Sequence, residues 1–418
     1  MRVLVLGGGV VGVTTAYQLL KDGHEVALVE RHAAVGDETS WGNAGMIAPG
    51  HSFVWSSPRA PMILLKSLFQ KDQALRFKPS ADPRLWSWSL RFLAQCTPGR
   101  ARVNTLRKHR LCLYSQRILH ETLAETGANG AGIDYDRNVR GILYFYRSEE
   151  RLAAGVEHMK ILSDDGQETE VLDRDGVIRL EPSLAAARDR IAGGIYCPTD
   201  ETGDCGKFTK ALAEACRRMG AELRLGAEIR RIGADGDGIT GVETSAGRLT
   251  ADAYVLALGN HSPVYARKLG IPLAVYPIKG YSLTIPVGNH AAGPTIGSVD
   301  EDNLAASARI GDRVRVTATA EFAGYDTTHK PRDFDFMLGV TRELYPDGAD
   351  YGRAQGWAGL RPMTPEGTPR FGRRKYRNLW INGGHGHMGW TMAHASARIT
   401  ADLIAGRAPA IPLDGMTV

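Results

Sequence analysis

Apolar and polar positions at the start of the chain predict a β-strand, an α-helix and a second strand. Residues 3–6 form a short apolar run that fits a strand buried on both faces. Apolar residues then recur at helical spacing until Gly23, which favours a helix end: Val10, Val13, Tyr17 and Leu20. Residues 25–30 form a second apolar run that closes on Glu30. This order predicts a βαβ unit with two parallel strands.

The turn between the first strand and the helix has the pattern Gly-x-Gly-x-x-Gly, at Gly7, Gly9 and Gly12. In a dinucleotide site the first glycine makes the tight turn, the second admits a diphosphate, and the third lets helix and strand pack closely. Glu30 would accept hydrogen bonds from a ribose hydroxyl, and an acid there argues against NADP. A glycine-rich turn without a ligand is the alternative. The complete order of strand, turn, helix, strand and acid favours FAD or NAD.

Two middle segments extend the pattern. A helix is predicted from the spacing of apolar residues that end before Gly220: Phe208, Leu212, Cys216 and Met219. Strands at 222–225 and 227–232 follow, and they can return to the first sheet. Residues 253–259 read as a buried strand that ends in Gly259. Bare backbone at Gly259 could approach a cofactor, or it could simply turn the chain.

The carboxyl-terminal segment predicts a strand at 379–382, a loop at 383–389 and a helix to Ala405 that is stopped by Gly406. Glycine at alternate positions of the loop would let the main chain lie against a flat ring. The helix N-terminus would present free N–H groups and a partial positive charge. An ordinary capped helix is the alternative.

Composition places the chain among soluble globular proteins. Its 418 residues, 43% of them hydrophobic and 23% charged, are enough for two packed domains. The five cysteines are odd in number and form no Cys-x-x-Cys pair, so neither a disulfide framework nor a metal site is expected. The apolar start contains the glycine pattern, so we interpret it as mature structure and not as a signal peptide. No run is long enough to span a bilayer.

One stretch is strongly basic. Thirteen lysines and arginines, against Asp72 and Asp82, lie between His51 and His120, although the formal net charge of the chain is only +5. Aromatic and aliphatic residues interleave with them, which favours a membrane surface over nucleic acid as the partner. The alternative is an ordinary solvated face, with Trp86, Trp88 and Phe92 in the core.

Five segments resemble one known family. They cover residues 38–50, 199–205, 275–286, 359–369 and 378–393. Together they are similar to the small subunits of bacterial D-amino-acid dehydrogenases, within the D-amino-acid oxidase superfamily, and the likeness runs from the first strand to the last helix. His51, His387 and Met388 depart from the family pattern, and the strand at 315–321 lacks the glycines associated with it. The resemblance implies FAD, and not NAD, as the cofactor.

The fingerprint and the resemblance together predict the cofactor-binding residues. The residue that matches Ile229 is implied to meet the adenine through its main chain. His385 and His387 could titrate near neutrality, or they could serve only through their main chain. The complete set is Gly7, Gly9, Val10, Val11, Gly12, Glu30, Arg31, Ser40, Asn43, Ala44, Gly45, Ile47, Ile229, Gly259, Gly384, His385, Gly386, Met388 and Gly389.

Arg361, in Gly-Leu-Arg-Pro, matches the arginine that clamps the substrate carboxylate in the related oxidases. A guanidinium suits that task because it pairs with both oxygens and keeps its charge. A structural salt bridge is the alternative. Tyr281 and Tyr276 are weaker candidates for lining the substrate site, and Tyr325 is a third, because a tyrosine on a strand is more often part of the core.

The expected architecture is α/β: a discontinuous Rossmann-type FAD-binding domain and a substrate domain on an antiparallel sheet. The predicted FAD-binding part is 1–55, 195–265 and 365–418, and the substrate part is 56–194 and 266–364. The expected location is cytoplasmic, with peripheral attachment to the inner face of the bacterial plasma membrane as an option.

The resemblance implies oxidative deamination of D-amino acids to 2-oxo acids and ammonia, by hydride transfer from Cα to flavin N5, with quinone or another acceptor taking the electrons. One alternative is oxidation of a secondary amine or imino acid, such as D-proline, D-hydroxyproline or glycine. Another is a non-catalytic flavin subunit of a larger complex.

Overall fold

The computed structural model describes residues 1–67, 75–77, 80–130 and 132–418. Part of the basic stretch lies outside the described residues, namely Leu68, Phe69, Lys71, Asp72 and Lys78.

The strands of the described residues, numbered in chain order, are β1 Arg2–Leu6, β2 Glu25–Val29, β3 Met46–Ile47, β4 Leu75–Phe77, β5 Ile142–Tyr146, β6 Glu170–Asp173, β7 Gly193–Cys197, β8 Glu201–Thr202, β9 Glu222–Arg224, β10 Ile229–Asp235, β11 Gly238–Thr244, β12 Gly247–Leu249, β13 Ala253–Leu256, β14 Tyr276–Pro286, β15 Gly297–Asp300, β16 Ala305–Ile310, β17 Arg313–Phe322, β18 Gln355–Met363, β19 Arg370–Gly372 and β20 Leu379–Gly383. The α-helices are α1 Val10–Lys21, α2 Ala60–Ser67, α3 Pro83–Gln95, α4 Pro98–Ala128, α5 Glu149–Ser163, α6 Arg174–Leu180, α7 Cys205–Arg218, α8 Ser262–Lys268, α9 Asp335–Leu344 and α10 Gly389–Ile404.

Within the described residues, one sheet has six strands in the order β19-β20-β13-β1-β2-β9. The five strands from β20 to β9 are parallel, and β19 pairs antiparallel with β20. Helices α1, α7 and α10 cover one face through a shared apolar cluster, and the β10–β12 meander covers the other. The predicted βαβ unit and the predicted return of β9 to the first sheet are confirmed. The prediction that the strand at 227–232 returns there as well is wrong: β10 pairs with β11 in the meander, which supplies the cover that the second face of a buried parallel sheet needs.

The second large sheet of the described chain has nine strands, in the order β18-β14-β17-β16-β15-β5-β7-β6, with β4 beside β17. Most of its pairs are antiparallel, and β15–β5 and β17–β4 are parallel. Helix α9 packs on this sheet, where Phe334, Met337 and Leu344 join Tyr281 and Leu283 in one apolar cluster. The expected combination of a Rossmann-type sheet with a largely antiparallel one is present.

The two sheets draw on interleaved parts of the chain. The six-stranded sheet uses strands between residues 2 and 29, 222 and 256, and 370 and 383, so the first and last segments share one sheet. Strand β7 belongs to the nine-stranded sheet, and the long helix α4 packs against α10, where Leu111 and Ile118 meet Met392 and Ile399. The exact domain boundaries stay a prediction.

The basic and aromatic stretch divides between core and surface. Leu85, Trp88 and Phe92 on one side of α3 are buried. Trp86 is 49% exposed and Leu90 is 69% exposed on the other side, so the alternative that all three aromatic residues fill the core is wrong for Trp86. None of the described helices combines the length and apolarity that a bilayer crossing requires.

Candidate active site

The two sheets meet at a cavity of about 1250 Å³. One end, which we call the glycine end, is lined by the loops that follow β1, β2 and β13, at residues 7–11, 30–32 and 257–261. The carboxyl ends of parallel strands are where open α/β sheets bind ligands. The other end, the arginine end, is lined by Arg361, Trp55, His387, His51 and Glu301. A single small ligand occupies roughly 300–1,000 Å³, so this cavity has room for a dinucleotide and a substrate together.

The glycine end is shaped by residues that lack a side chain. Gly7 has a φ of +113°, and a Cβ on it would lie 2.5 Å from the carbonyl oxygen of Ala257. A Cβ on Gly12 would lie 1.9 Å from the carbonyl oxygen of Gly7. Gly9 is different, since its nearest neighbour would be the Ser40 hydroxyl at 3.6 Å. Gly7 and Gly12 therefore close the turn against the sheet, and Gly9 leaves space at the cavity wall.

Glu30 is held in the wall by backbone donors. Its carboxylate accepts hydrogen bonds from the Gly8 amide at 2.7 Å and from the His32 amide at 2.9 Å. The Ser40 hydroxyl accepts from the Val10 amide at 3.0 Å. A carboxylate has about four acceptor sites, so Glu30 retains capacity for a ligand hydroxyl.

Two helices begin at the cavity wall. Helix α1 starts after Gly9, and α10 starts at Gly389, next to a short 3-10 turn at Gly386–Met388. Neither helix has a capping side chain at its N-cap residue. Exposed N–H groups and the helix dipole make such starts favourable places for negative charge. His385 precedes the second start; its Nε2 lies 2.9 Å from the Ser396 hydroxyl, and burial lowers its pKa to about 3.

Most predicted cofactor residues line the cavity: Gly7, Gly9, Val10, Val11, Glu30, Arg31, Ser40, Asn43, Ala44, Ile229, Gly259, His385, Gly386, Met388 and Gly389. Four do not reach its wall, namely Gly12, Gly45, Ile47 and Gly384. Gly45 and Gly384 have φ values of +70° and +79°, and Ile47 is buried in the core of β3. Gly45 and Gly384 therefore shape the loops that carry their neighbours, whereas Gly12 and Ile47 belong to α1 and β3.

Arg361 dominates the arginine end. It lies on β18, and its guanidinium occupies the space that a Cβ on Gly280 of the adjacent strand would fill, 2.4 Å away. Its Nη1 donates long hydrogen bonds to the carbonyl oxygens of Lys279 and Thr319, at 3.4 and 3.3 Å. In the described part of the chain, no carboxylate lies within 4 Å of it, and burial lowers its pKa to about 10. The structural salt bridge considered above is therefore absent from the described residues.

Aromatic rings continue from Arg361 along the wall. The guanidinium lies 5.9 Å from the Trp55 ring, and Trp55 stacks on His387 with 5.0 Å between ring centroids. His387 meets His51 edge to face at 6.2 Å. Behind this row, the buried Lys108 ammonium donates to the Phe53 carbonyl at 3.2 Å and lies 3.4 Å from His387 Nε2. Burial lowers the pKa of His51 to about 4 and, together with the positive charge of Lys108, lowers that of His387 well below its usual range.

The predicted tyrosines differ in position. Tyr281 lines the cavity, and its hydroxyl donates to Glu321. Tyr276 is not part of the lining and packs against Trp88, with 6.1 Å between ring centroids. The hydroxyl of Tyr325 donates to the carbonyl oxygen of Asn260 at 2.8 Å.

The sequence profile of the DAO family, described as FAD dependent oxidoreductase, matches residues 2–403. The chain belongs to this family. It is 45% identical over 417 residues to D-amino acid dehydrogenase 2 of Mesorhizobium japonicum, and this alignment covers 100% of this chain and 99% of the relative. It is also 45% identical over 429 residues to the D-amino acid dehydrogenase of Paramagnetospirillum magneticum, which covers 100% and 98%.

Solved structures agree on the fold of this DAO-family chain. Glycine oxidase from Geobacillus kaustophilus superposes with a TM-score of 0.78 at 23% identity, covering 100% of this chain and 98% of that one. L-proline dehydrogenase from P. horikoshii superposes with a TM-score of 0.75 at 18% identity, covering 100% and 96%. At these identities the likeness establishes the fold alone.

FAD is the cofactor of this DAO-family enzyme, and the cavity fits it. The space beside Gly9 at the start of α1 suits a diphosphate, and the start of α10 suits a flavin ring. The Glu30 carboxylate suits a ribose. When bound, FAD supplies a two-electron acceptor.

The sequence did not assign several residues at the arginine end to the site. Trp55 and Lys108 were counted only in the basic and aromatic stretch, and Glu301 was not singled out. Lys108 had a usable signal: it lies three and four residues before the buried Leu111 and Cys112, on the apolar face of α4. A lysine on such a face must either reach water or find a buried partner.

Proposed function

We propose that the chain oxidises D-amino acids at the Cα–N bond, giving 2-oxo acids and ammonia, and passes the electrons to a quinone or another acceptor. The observation that supports this most is Arg361, a partly buried guanidinium without a carboxylate partner among the described residues, in the same cavity as the glycine end. A buried cation without an anion is costly unless a ligand supplies the anion. The two relatives above, both named D-amino acid dehydrogenase, support the same substrate class.

Residues of the arginine end have separate roles in the proposed reaction. Arg361 pairs with the substrate carboxylate, and Gly280 leaves room for the guanidinium to do so. The positive charge of Arg361 and Lys108 disfavours a protonated amine nearby, so the reactive neutral amine is favoured. His51 and His387 remain uncharged at neutral pH, so they add no charge of their own. FAD held in this cavity would supply the acceptor for the Cα hydride, and hydrolysis of the imino acid by water would then release the 2-oxo acid and ammonia.

The cofactor residues are proposed with the same division of labour. Residues of the glycine end from Gly7 to Val11 and Glu30 bind the adenosine diphosphate part, with Ile229 and Gly259 beside them. The loop from His385 to Gly389 binds the flavin ring and stabilises negative charge on it through the start of α10.

Anaerobic bleaching of the flavin tests the proposal. Purified yellow enzyme is mixed with D- and L-forms of neutral amino acids, and with D-proline, D-hydroxyproline and glycine. D-amino acids with a primary amine should bleach the flavin fastest. Faster bleaching by the secondary amines or glycine would favour the imino-acid alternative, and no bleaching by any of them would favour a non-catalytic subunit.

We further propose that the enzyme meets its acceptor at a membrane surface. The apolar surface patch consists of Met62, Ile63 and Leu65 on α2 with Trp86, Leu90 and Leu93 on α3, all more than 40% exposed. Ile63 also lines the cavity, so the patch adjoins the interior. Arg59 and Arg91 are exposed beside it. Apolar burial and attraction of these cations to anionic lipid would act together.

Vesicle co-sedimentation tests the membrane proposal. The enzyme should pellet with anionic vesicles at low salt and be released at high salt, because screening weakens the ionic part. Replacing Trp86 and Leu90 by serine should reduce the pelleted fraction several-fold, whereas serine at the exposed Val139 and Val171 should not. Complete recovery of the unaltered enzyme in the low-salt supernatant would contradict the proposal.

A further inference from the structure

Glu301 is an acid in the cavity wall that lacks a strong partner. It follows β15, and its side chain is 21% exposed. Its nearest ionic neighbour is His51, whose Nδ1 lies 3.7 Å from its carboxylate. No lysine or arginine of the described chain lies within 4 Å of that carboxylate, and no hydrogen bond to it is present there.

The acids on either side of Glu301 are paired. Asp300 accepts from Arg147 at 2.7 Å, and Asp302 forms an ion pair with Arg151 at 3.0 Å. Arg151 also donates to Glu301, but to its main-chain carbonyl oxygen, at 3.0 Å. Of these three consecutive acids, only Glu301 has a carboxylate with no lysine or arginine within 4 Å among the described residues. Burial raises its pKa to about 7, although the more distant charge of Arg151 acts in the opposite direction.

Among the described residues, Arg361 and Glu301 are connected only through a row of intervening rings. The guanidinium, the Trp55 ring, the His387 ring and the His51 ring follow one another before Glu301 is reached, with separations of 5.9, 5.0 and 6.2 Å along the row. The α-amino group of an amino acid is two bonds from its carboxylate carbon. The pose expected for a substrate whose carboxylate is bound by Arg361 therefore brings its side chain, and not its α-amino group, to Glu301.

Other charges near Glu301 are already engaged or face solvent. Glu157 pairs with Lys160, and His158 stacks on Phe53 with 4.0 Å between ring centroids. Arg59 is exposed at the cavity mouth. The rings of Tyr144 and Phe53 contribute apolar surface on which methylene groups of a side chain can lie.

We propose that Glu301 binds the cationic end of the substrate side chain, so that the enzyme prefers D-amino acids with a long basic side chain. Arg361 holds the carboxylate, the aromatic row contacts the methylene groups, and Glu301 receives the ammonium or guanidinium. This inference rests on the proposed oxidation of D-amino acids and names the substrate class within it. It pairs the Arg361 guanidinium and the Glu301 carboxylate with the two charged ends of one ligand.

Matched substrates test the inference. D-lysine is compared with D-norleucine, and D-arginine with D-citrulline, because each pair has the same chain length and differs in side-chain charge. The unaltered enzyme should show at least about ten-fold higher kcat/KM for the charged member, as expected for a charge-assisted contact. Glu301→Gln should lower that preference about ten-fold or more and leave kcat/KM for D-norleucine within about three-fold.

Two further variants serve as controls for this experiment. Glu157→Gln removes another acid of the cavity lining, one that is already paired, and should leave the preference intact. Glu301→Asp retains the charge on a shorter side chain and should retain part of the preference, which gives a second measurement if Glu301→Gln folds poorly. Equal kcat/KM for D-lysine and D-norleucine in the unaltered enzyme would overturn the inference. So would a loss in Glu301→Gln that is uniform across all substrates.

The outcomes separate the inference from the proposed function. Failure of every D-amino acid, D-norleucine included, to bleach the flavin would remove the proposed oxidation and this inference with it. Oxidation of D-norleucine without a charge preference would remove only the role of Glu301.

Discussion

The two ends of the cavity differ in which atoms form them: main-chain atoms form most of the glycine end, and side chains form the arginine end. The glycine end consists of backbone: tight turns, helix starts, and one carboxylate held by amide groups. The arginine end consists of side chains that come from distant parts of the chain, and several of them are buried ionisable groups. Backbone geometry tolerates little change and has no charge to titrate. Side chains can be exchanged and can respond to pH, so the two ends should fail in different ways.

The largest effect is expected at the glycine end. Gly12→Ala would place a methyl group 1.9 Å from the Gly7 carbonyl oxygen, and the main chain of Gly7 leaves it no room. We expect loss of bound FAD, measured by the flavin absorbance of the purified protein, and a lower melting temperature. Gly339→Ala in α9 is the control, because its new methyl group meets nothing within 4 Å. A yellow Gly12→Ala protein of normal stability would show that the turn is less constrained than the structure indicates.

A smaller and more selective effect is expected at the arginine end. Arg361→Ala should retain FAD and folding, because the guanidinium makes only two long hydrogen bonds to carbonyl oxygens. Its kcat/KM for D-amino acids should fall about 100-fold or more, which corresponds to roughly 3 kcal/mol for a lost charge-assisted contact. Arg361→Lys retains the charge without the fork, so its loss should be intermediate. An unchanged kcat/KM in Arg361→Ala would show that the substrate carboxylate binds at another residue.

The smallest effect concerns stability and pH. Asp200 lies behind the arginine end: it accepts from Tyr144 at 2.7 Å and from the Gly50 amide at 3.1 Å, and burial raises its pKa to about 7. The folded protein therefore retains a proton that the unfolded chain releases near pH 4. The associated stability is present below pH 4 and is lost as pH rises towards 7.

Urea unfolding between pH 5 and 8, at a fixed FAD concentration, measures this effect. Asp200→Asn should remove part of the decline in the unfolding midpoint with rising pH. Asp189→Asn, at a side chain that is 94% exposed, should show the unaltered pH profile. Identical profiles for all three proteins would mean that the Asp200 carboxyl titrates alike in the folded and unfolded states.

The sequence predicts the two ends unequally. The glycine end could be predicted from the sequence because its residues lie in continuous segments. Gly7, Gly9, Gly12 and Glu30 are within thirty residues of each other. The helices and strands of this part were predicted within a few residues, since their apolar periods are regular. Arg361 was found through resemblance.

The rest of the arginine end depends on tertiary contacts. Trp55, Lys108 and Glu301 come from a loop, a helix and a strand end, and no local pattern relates them. The exposed side of Trp86 and the buried side of Trp88 were likewise not separable before the orientation of α3 was known. The pairing of β7 with the nine-stranded sheet also depends on long-range register, which residue periodicity does not report.

The strand order has a consequence for how the enzyme is made. Strand β13 pairs on one side with β1 and on the other with β20, and α10 packs on α1. A nascent chain that has not yet released residues 379–404 from the ribosome exposes the edge of β13 and the apolar face of α1. Completion of the six-stranded sheet therefore requires residues 379–404, far along the chain from the βαβ unit against which they pack.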